Sequence, residues 1–212
     1  MEEGIPVIDS TDPRVRFGLY LRPSYAMARA VAEMHELMRR QFGQTRAGKY
    51  MPHATIGFFQ SALPWQDLAA AVTPALARHA PFVVQNHGPV AMGRSVVLDI
   101  HHDDAGGVNA ALQALHDDAH AALAPLIADD LEDRFRWPAE KFQAHITLAQ
   151  TIRPDWLRDD EVMAFVREAE PVGPRRFMAE YVHLYAVLSD DWDSVDWSDS
   201  LTWDLLASWR LG

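Results

Sequence analysis

Apolar and polar positions alternate over Val15-Arg16-Phe17-Gly18-Leu19-Tyr20-Leu21, with Val15, Phe17, Leu19 and Leu21 on one side, the period of a half-buried strand. Pro23 and Ser24 end it. Ser24 is suited to cap a helix over 25–42, where Met27, Val31, Met34, Leu37 and Met38 recur at helical spacing. A strand is expected over 53–59, and Pro64 opens a second helix reaching about residue 80. Residues 82–86 and 95–100 read as two strands joined as a hairpin around Gly88-Pro89. A turn follows at 103–107, then an Ala- and Leu-rich helix over 109–127. Beyond it come a strand over 142–149, a helix led by Pro154 and reaching about residue 169, and one long strand over 177–188. An acidic, Trp-containing loop over 190–200 and a last strand over 201–209 complete the pattern. No Pro/Gly/Ser linker divides this order, so residues 1–212 are expected to form one α+β body with two related halves.

The halves share a segment. Lys49-Tyr50-Met51-Pro52-His53-Ala54-Thr55-Ile56-Gly57 and Lys141-Phe142-Gln143-Ala144-His145-Ile146-Thr147-Leu148-Ala149 both read Lys, aromatic, two residues, His, any, Thr, aliphatic, small. They are offset by 92 residues, too long for a solenoid period and suited to two similar lobes. Each copy is followed by a Pro-led helix, at Pro64 and Pro154. With ten His and seven Thr in 212 residues, chance supplies about a third of one His-x-Thr match, so the matched pair carries weight that either copy lacks. Strand alternation sets Ala54, Ile56 and Phe58 on one face and His53, Thr55 and Gly57 on the other. In the second copy it sets Ala144, Ile146 and Leu148 against His145, Thr147 and Ala149. The apolar sets suit a core under helices. The His/Thr sets end in a small residue, which is expected to leave room for a ligand.

Composition narrows the chemistry. The chain has no cysteine, which removes disulfides, thiolate zinc sites and a Cys nucleophile from its own chemistry. The formal net charge is -11, which argues against wrapping extended nucleic acid, because phosphate contacts dominate that affinity. A small nucleotide needs only a few local donors and fits the charge. The acidic start Met1-Glu2-Glu3-Gly4 leads into no apolar run, and no stretch approaches the roughly 18 apolar residues of a membrane span. A cytoplasmic protein without a membrane partner is expected; the oligomeric state stays open, and a monomer is compatible with the pattern.

Two imidazoles facing one phosphate suit acid–base chemistry, since His titrates near neutrality. A neutral one takes a proton from water while a protonated one gives a proton to the leaving oxygen. Each Thr hydroxyl can donate to a non-bridging oxygen as charge builds there. No metal or other cofactor is required.

On these motifs the chain resembles the two-histidine (2H) phosphoesterase superfamily, which includes 2′-5′ RNA ligase-like proteins and cyclic nucleotide phosphodiesterases. The resemblance covers nearly the whole chain, through the opening strand Val15–Leu21, the two His-x-Thr strands and the element order. It implies a bilobal α+β fold, with two pseudo-symmetric antiparallel-sheet lobes flanked by helices and a cleft between them. It implies hydrolysis of a cyclic phosphate, on a 2′,3′-cyclic nucleotide or RNA end or a related small nucleotide, or of a 2′-5′ linkage. By position, His53, Thr55, His145 and Thr147 match the family's catalytic motifs. Which His is the acid stays open, since the roles exchange if the reaction runs toward ligation. Family members that act on tRNA are often more basic, and no family role is carried onto Asp190-Asp191-Trp192-Asp193.

Further candidates stand beside the motif. Tyr20 and Arg22 fall on the less apolar face of the first strand, and Tyr181, His183 and Tyr185 share a face of the late strand. Their aromatics could stack on a base and Arg22 could pair with phosphate. Lys49 and Lys141, four residues before each His, could supply positive potential. Trp192, Trp197 and Trp203 could form a lid or a packed edge. His116 and His120, at i and i+4 on one helix face and with His101-His102-Asp103-Asp104 nearby in sequence, are the basis of an alternative, a metal-dependent hydrolase. A non-catalytic nucleotide-binding module is the third reading.

Overall fold

The computed structural model describes residues 8–128, 137, 142–150 and 159–212. The opening alternation forms strand β1 (Val15–Leu21), whose every residue is buried. It lies inside an antiparallel sheet of order β2-β1-β8-β9, with β2 (Ala54–Phe59), β8 (Tyr181–Leu188) and β9 (Thr202–Arg210). A second sheet has the order β4-β5-β6, with β4 (Pro89–Met92), β5 (Ser95–Asp99) and β6 (His145–Gln150). A two-stranded ribbon pairs β3 (Phe82–Gln85) with β7 (Arg176–Ala179).

Two sequence expectations are corrected here. The hairpin does not join 82–86 to 95–100 around Gly88-Pro89. It joins β4 to β5, where Met92 pairs with Ser95 across Gly93-Arg94. Gly93 has φ +57°, the left-handed value such a two-residue turn needs at its first central position. Pro89 instead begins β4, where a missing N–H is tolerated, and β3 pairs with β7. The expected long strand over 177–188 is also two strands in different sheets. The core positions shift from odd (Phe177, Ala179) to even (Val182, Leu184, Ala186) across Glu180, so one straight strand could not bury both sets.

Helix α1 (Tyr25–Phe42) starts where Ser24 Oγ accepts from the Met27 N–H. Helix α2 (Trp65–Leu76) follows Pro64 and stops short of residue 80. Helix α3 (Ala110–Leu123) starts on Asn109, whose Oδ1 accepts from the Leu112 N–H, and gives way to a 3-10 turn containing Pro125. Helix α4 (Asp159–Glu168) is described from Asp159; the onset expected at Pro154 lies outside the described residues.

Two helices, α1 and α3, cross between sheets. α1 follows β1 yet packs on β6, and Phe42 meets Phe165 of α4 edge-on at 5.2 Å while α4 covers β4 and β5. α3 follows β5 yet packs on β2 and on α2, which also contacts β9. Each sheet is thus covered by a helix that leaves the other, and one apolar cluster joins both. Among the described residues no helix is long and apolar enough to cross a membrane.

The motif strands share an irregularity. In β2 the pairing steps from Tyr20↔Thr55 to Leu19↔Gly57, so Ile56 has no partner in the β1 register. In β6 it steps from Val97↔Thr147 to Val96↔Ala149, so Leu148 has none in the β5 register. Each extra residue stands three places after a motif histidine, and such a bulge resets the alternation. Simple parity therefore fails beyond it. Phe58, expected on the core side, turns to the cleft, and Phe59 takes the core place with no exposed surface. Gly57 and Ala149, expected to leave room for a ligand, are buried. The space over Gly57 is filled by Trp137, which stacks on Phe59 at 5.7 Å; a Cβ on Gly57 would stand 2.6 Å from the indole. Gly57→Ala is expected to destabilise the fold by about 1–3 kcal/mol through overpacking, read as a lower midpoint in thermal or urea unfolding. An unchanged midpoint would remove this account of Gly57.

Candidate active site

β2 and β6 are the outer strands of their sheets, and they approach one another. Their polar faces bound a cleft of about 240 Å³ lined by residues that include His53, Thr55, Thr147, Tyr20, Tyr50, Phe58, Gln150 and Trp197. Phe58 and Gln150 hold equivalent places after the two bulges, so the same irregularity brings one residue from each strand to the cleft.

The two imidazoles are held alike. His53 Nδ1 lies 2.7 Å from the carbonyl of Met51, and His145 Nδ1 lies 2.8 Å from the carbonyl of Gln143, two residues back in each case. A carbonyl only accepts, so each Nδ1 carries the hydrogen and each Nε2 is the nitrogen left for chemistry. His145 is not part of the cleft lining, yet it lies close enough that its charge lowers the proton affinity of His53.

Aromatic rings enclose His53. The Tyr20 ring centroid is 4.1 Å from it and that of Tyr50 is 5.5 Å. Burial pulls its pKa down to about 4; the Met51 carbonyl opposes this, and the charges of His145 and His35 add to it. His53 is therefore neutral near pH 7. The Tyr20 and Tyr50 phenols are pushed well above their ordinary values by burial and stay protonated.

The sequence reading missed several of these groups. His35, on α1, lines the cleft and bonds to the carbonyl of Thr147 at 2.9 Å; its signal was a titratable residue inside the stripe of Val31, Met34 and Met38. Tyr50 was visible only as the aromatic in the repeated lead. Trp197 is brought in by the acidic loop. Arg46 donates to Ser198 Oγ at 3.2 Å and to the Val195 carbonyl, with its guanidinium 4.9 Å from the Trp197 ring. Trp197 packs near Tyr50 and stacks on Trp192, while Trp203 donates to the Lys49 carbonyl. Trp192 and Trp197 are thus packed, Trp197 is also cleft wall, and Trp203 lies edge-on to Tyr185 and is exposed. Lys49 pairs with Asp199 at 3.0 Å, which neutralises the positive potential expected of it; Lys141 lies outside the described residues.

The secondary candidates are placed unevenly. Tyr20 lines the cleft, but Arg22, His183 and Tyr185 do not. Arg22 lies over the Tyr181 ring at 3.9 Å. His183 is buried and bonds to the Tyr185 hydroxyl at 3.2 Å, and Tyr185 packs on Tyr20.

The alternative metal pair is corrected. His116 Nε2 accepts from Trp137 Nε1–H at 2.8 Å, and its Nδ1–H donates to Asp117 at 3.0 Å. His120 Nε2–H donates to the Trp137 carbonyl at 2.8 Å. Both rings grip Trp137, and His116 has no lone pair left for a metal. His101 Nδ1 accepts from the Ala144 N–H and His102 Nδ1–H donates to Asp99, so the neighbouring pair organises the turn before α3.

The sequence model of the 2′-5′ RNA ligase superfamily matches residues 58–191. The match includes His145 and Thr147 and begins after His53 and Thr55. No curated protein matches by sequence. Among solved structures, E. coli LigT complexed with 3′-AMP is similar at 14% identity and TM-score 0.54, over 93% of this chain and 98% of that one. TT0787 of Thermus thermophilus is similar at 16% identity and TM-score 0.58, over 92% and 97%. Apo E. coli LigT gives 16% identity and TM-score 0.54, over 92% and 96%. At these identities the likeness is one of fold: antiparallel sheets flanked by helices.

Two outcomes are expected. In an NMR titration His53 gains its proton near pH 4. Because its folded pKa is below the unfolded value of about 6.5, its contribution to stability is present above pH 6.5 and is lost as pH falls toward 4. The slope approaches about 1.4 kcal/mol per pH unit inside that window. His53→Asn should flatten that slope, and a His53 titrating at or above 6.5 refutes the assignment. His116→Ala, which leaves the Trp137 N–H without its acceptor, should cost about 1–3 kcal/mol in urea unfolding; an unshifted midpoint would count against the clamp.

Proposed function

The chain belongs to the 2′-5′ RNA ligase superfamily, and from that premise we propose that it is a metal-independent phosphodiesterase. It opens a cyclic phosphate on a small nucleotide or RNA end, or cleaves a 2′-5′ linkage, by acid–base catalysis between His53 and His145. The observation that carries this reading is the matched pair of imidazoles. Each has its Nδ1–H tied to the carbonyl two residues back; His53 directly precedes edge strand β2 and His145 begins edge strand β6, close enough for the charge of His145 to act on His53. On this reading residues 1–212 act as one bilobal unit, because each sheet contributes one motif.

His53, neutral through burial, takes the proton of water at Nε2 as the water oxygen bonds to phosphorus. His145, protonated, gives its Nε2 proton to the ribose oxygen as the P–O bond breaks. Thr55 and Thr147 donate to the non-bridging oxygens where charge grows. A carbonyl-bound Nδ1–H keeps both rings aimed through the cycle, so little reorganisation is left for the transition state.

The walls favour a small substrate. Tyr50, Phe58 and Trp197 offer faces on which a base can stack, a contact worth about 1–3 kcal/mol. Arg46 and Lys49, which lead into the Tyr50–His53 wall of the cleft, are engaged with the loop 195–199 rather than left for an extended phosphate backbone. LigT has been observed with 3′-AMP, which has the chemistry of a product of 2′,3′-cyclic phosphate opening.

The test is turnover of 2′,3′-cyclic mononucleotides and of 2′-5′ and 3′-5′ oligonucleotides. His53→Ala and His145→Ala should each lower kcat by about 10²–10⁴, and Thr55→Val or Thr147→Val by about 10². EDTA should have no effect. The acid limb of kcat/KM should fall near pH 4 rather than 6.5, since His53 must be unprotonated to act as base. Full activity in either His variant sinks the mechanism, and tight nucleotide binding without product would assign a binding module instead.

A further inference from the structure

We propose that His35 is a positioning residue of this site, holding the main-chain carbonyl of Thr147 through its Nε2–H so that the Thr147 hydroxyl keeps its place in the cleft. The inference rests on the reading of the His53/His145 cleft as the reacting site.

Four observations carry it. First, β6 is the outer strand of its sheet. In an antiparallel ladder alternate residues of an outer strand turn their N–H and C=O away from the partner. The Thr147 carbonyl is turned so, and His35 Nε2 meets it at 2.9 Å. Second, this carbonyl lies at the weak point of the strand. Thr147 is the last residue paired before the register shift at Leu148, where ladder support is locally lost. The corresponding shift in β2 is backed by Trp137 pressed on Gly57. In β6 the support comes from α1 through His35.

Third, the imidazole is itself confined. The 3-10 turn Ala47–Lys49 packs on it so closely that a Cβ on Gly48 would lie 3.2 Å from the His35 Cβ. The same turn contacts β6 and α1, so three elements meet at this ring. Burial lowers its proton affinity, which leaves a neutral ring whose one hydrogen is on Nε2, facing an acceptor. Fourth, the bond crosses the fold. α1 leaves the sheet that carries His53 and packs on the sheet that carries His145. His35 therefore ties the first half of the chain to the motif of the second, and lines the cleft while doing so.

The experiment compares wild type with His35→Phe, which keeps ring volume without the donor, and His35→Gln, which restores an N–H donor. Two readouts are taken: amide hydrogen exchange over residues 146–149 in the free protein, and kcat and KM for a 2′,3′-cyclic mononucleotide at a temperature where all three are folded. Expected in His35→Phe are faster exchange over 146–149 and a kcat lower by about 10–10² with KM little changed, as a small misplacement produces. His35→Gln should recover most of both. Unchanged exchange in His35→Phe overturns the tie. Faster exchange with full kcat overturns the positioning role and leaves a structural one. Should the wild type turn over none of the substrates, the proposed activity falls separately, and affinity for inorganic phosphate decides. Binding at least about tenfold weaker in His35→Phe and restored in His35→Gln supports the inference, and equal binding refutes it.

Discussion

Ile56 and Leu148 each stand without a cross-strand partner, three residues after a motif histidine. A side chain on a regular strand returns to the same face every second residue, so an uninterrupted β2 would send Phe58 into the core and hold Gly57 toward the cleft. The extra residue reverses both. Phe58 joins the cleft and its β6 equivalent Gln150 does the same, while Phe59 and Gly57 face the interior, where Trp137 is fitted between them. The shape of the cleft, the anchoring of Trp137 and the fit of α3 beneath β2 all follow from that step. His116 and His120 belong to the same assembly, since they fix Trp137 from α3.

Electrostatics in the cleft depend on how the imidazoles are held. Their Nδ1–H groups are both committed to main-chain carbonyls, so each ring can exchange a proton only at Nε2. Packing between Tyr20 and Tyr50 removes water from His53 and disfavours its charged form. On the proposed mechanism that bias suits His53 to accept a proton. It also carries a stability cost below neutral pH, because protonating His53 inside this packing is opposed in the fold and free in the unfolded chain.

The net charge of -11 finds local order at the cleft mouth. Arg46 and Lys49 draw in residues 195–199 and so bring Trp197 to the wall. The acidic loop is thereby a structural neighbour of the site, with its charge partly matched by the segment that leads into His53. Lys49, which the sequence offers as a source of positive potential, is instead used together with Arg46 to build an aromatic wall.

The sequence by itself determined the parts of this protein that obey a local period. β1 and α1 follow from alternation and 3.6-residue spacing with a Ser cap, and the His-x-Thr pair was visible because the same segment is written twice. Alternation also foresaw that His53 and Thr55 line one cleft, although His53 stands just ahead of β2; in the second copy Thr147 lines that cleft and His145 does not. Tertiary structure decided what has no local period. It decided that 177–188 divides at Glu180, that β3 pairs with β7, and that α1 and α3 each cover the sheet they did not come from. It also decided that His116 and His120 grip an indole and that His35 reaches Thr147, 112 residues away. The physical reason is that alternation records which side of a strand is apolar, whereas the partner across a gap is set by packing between distant segments, where a hydrogen bond or a filled space chooses one arrangement among many that the same pattern permits.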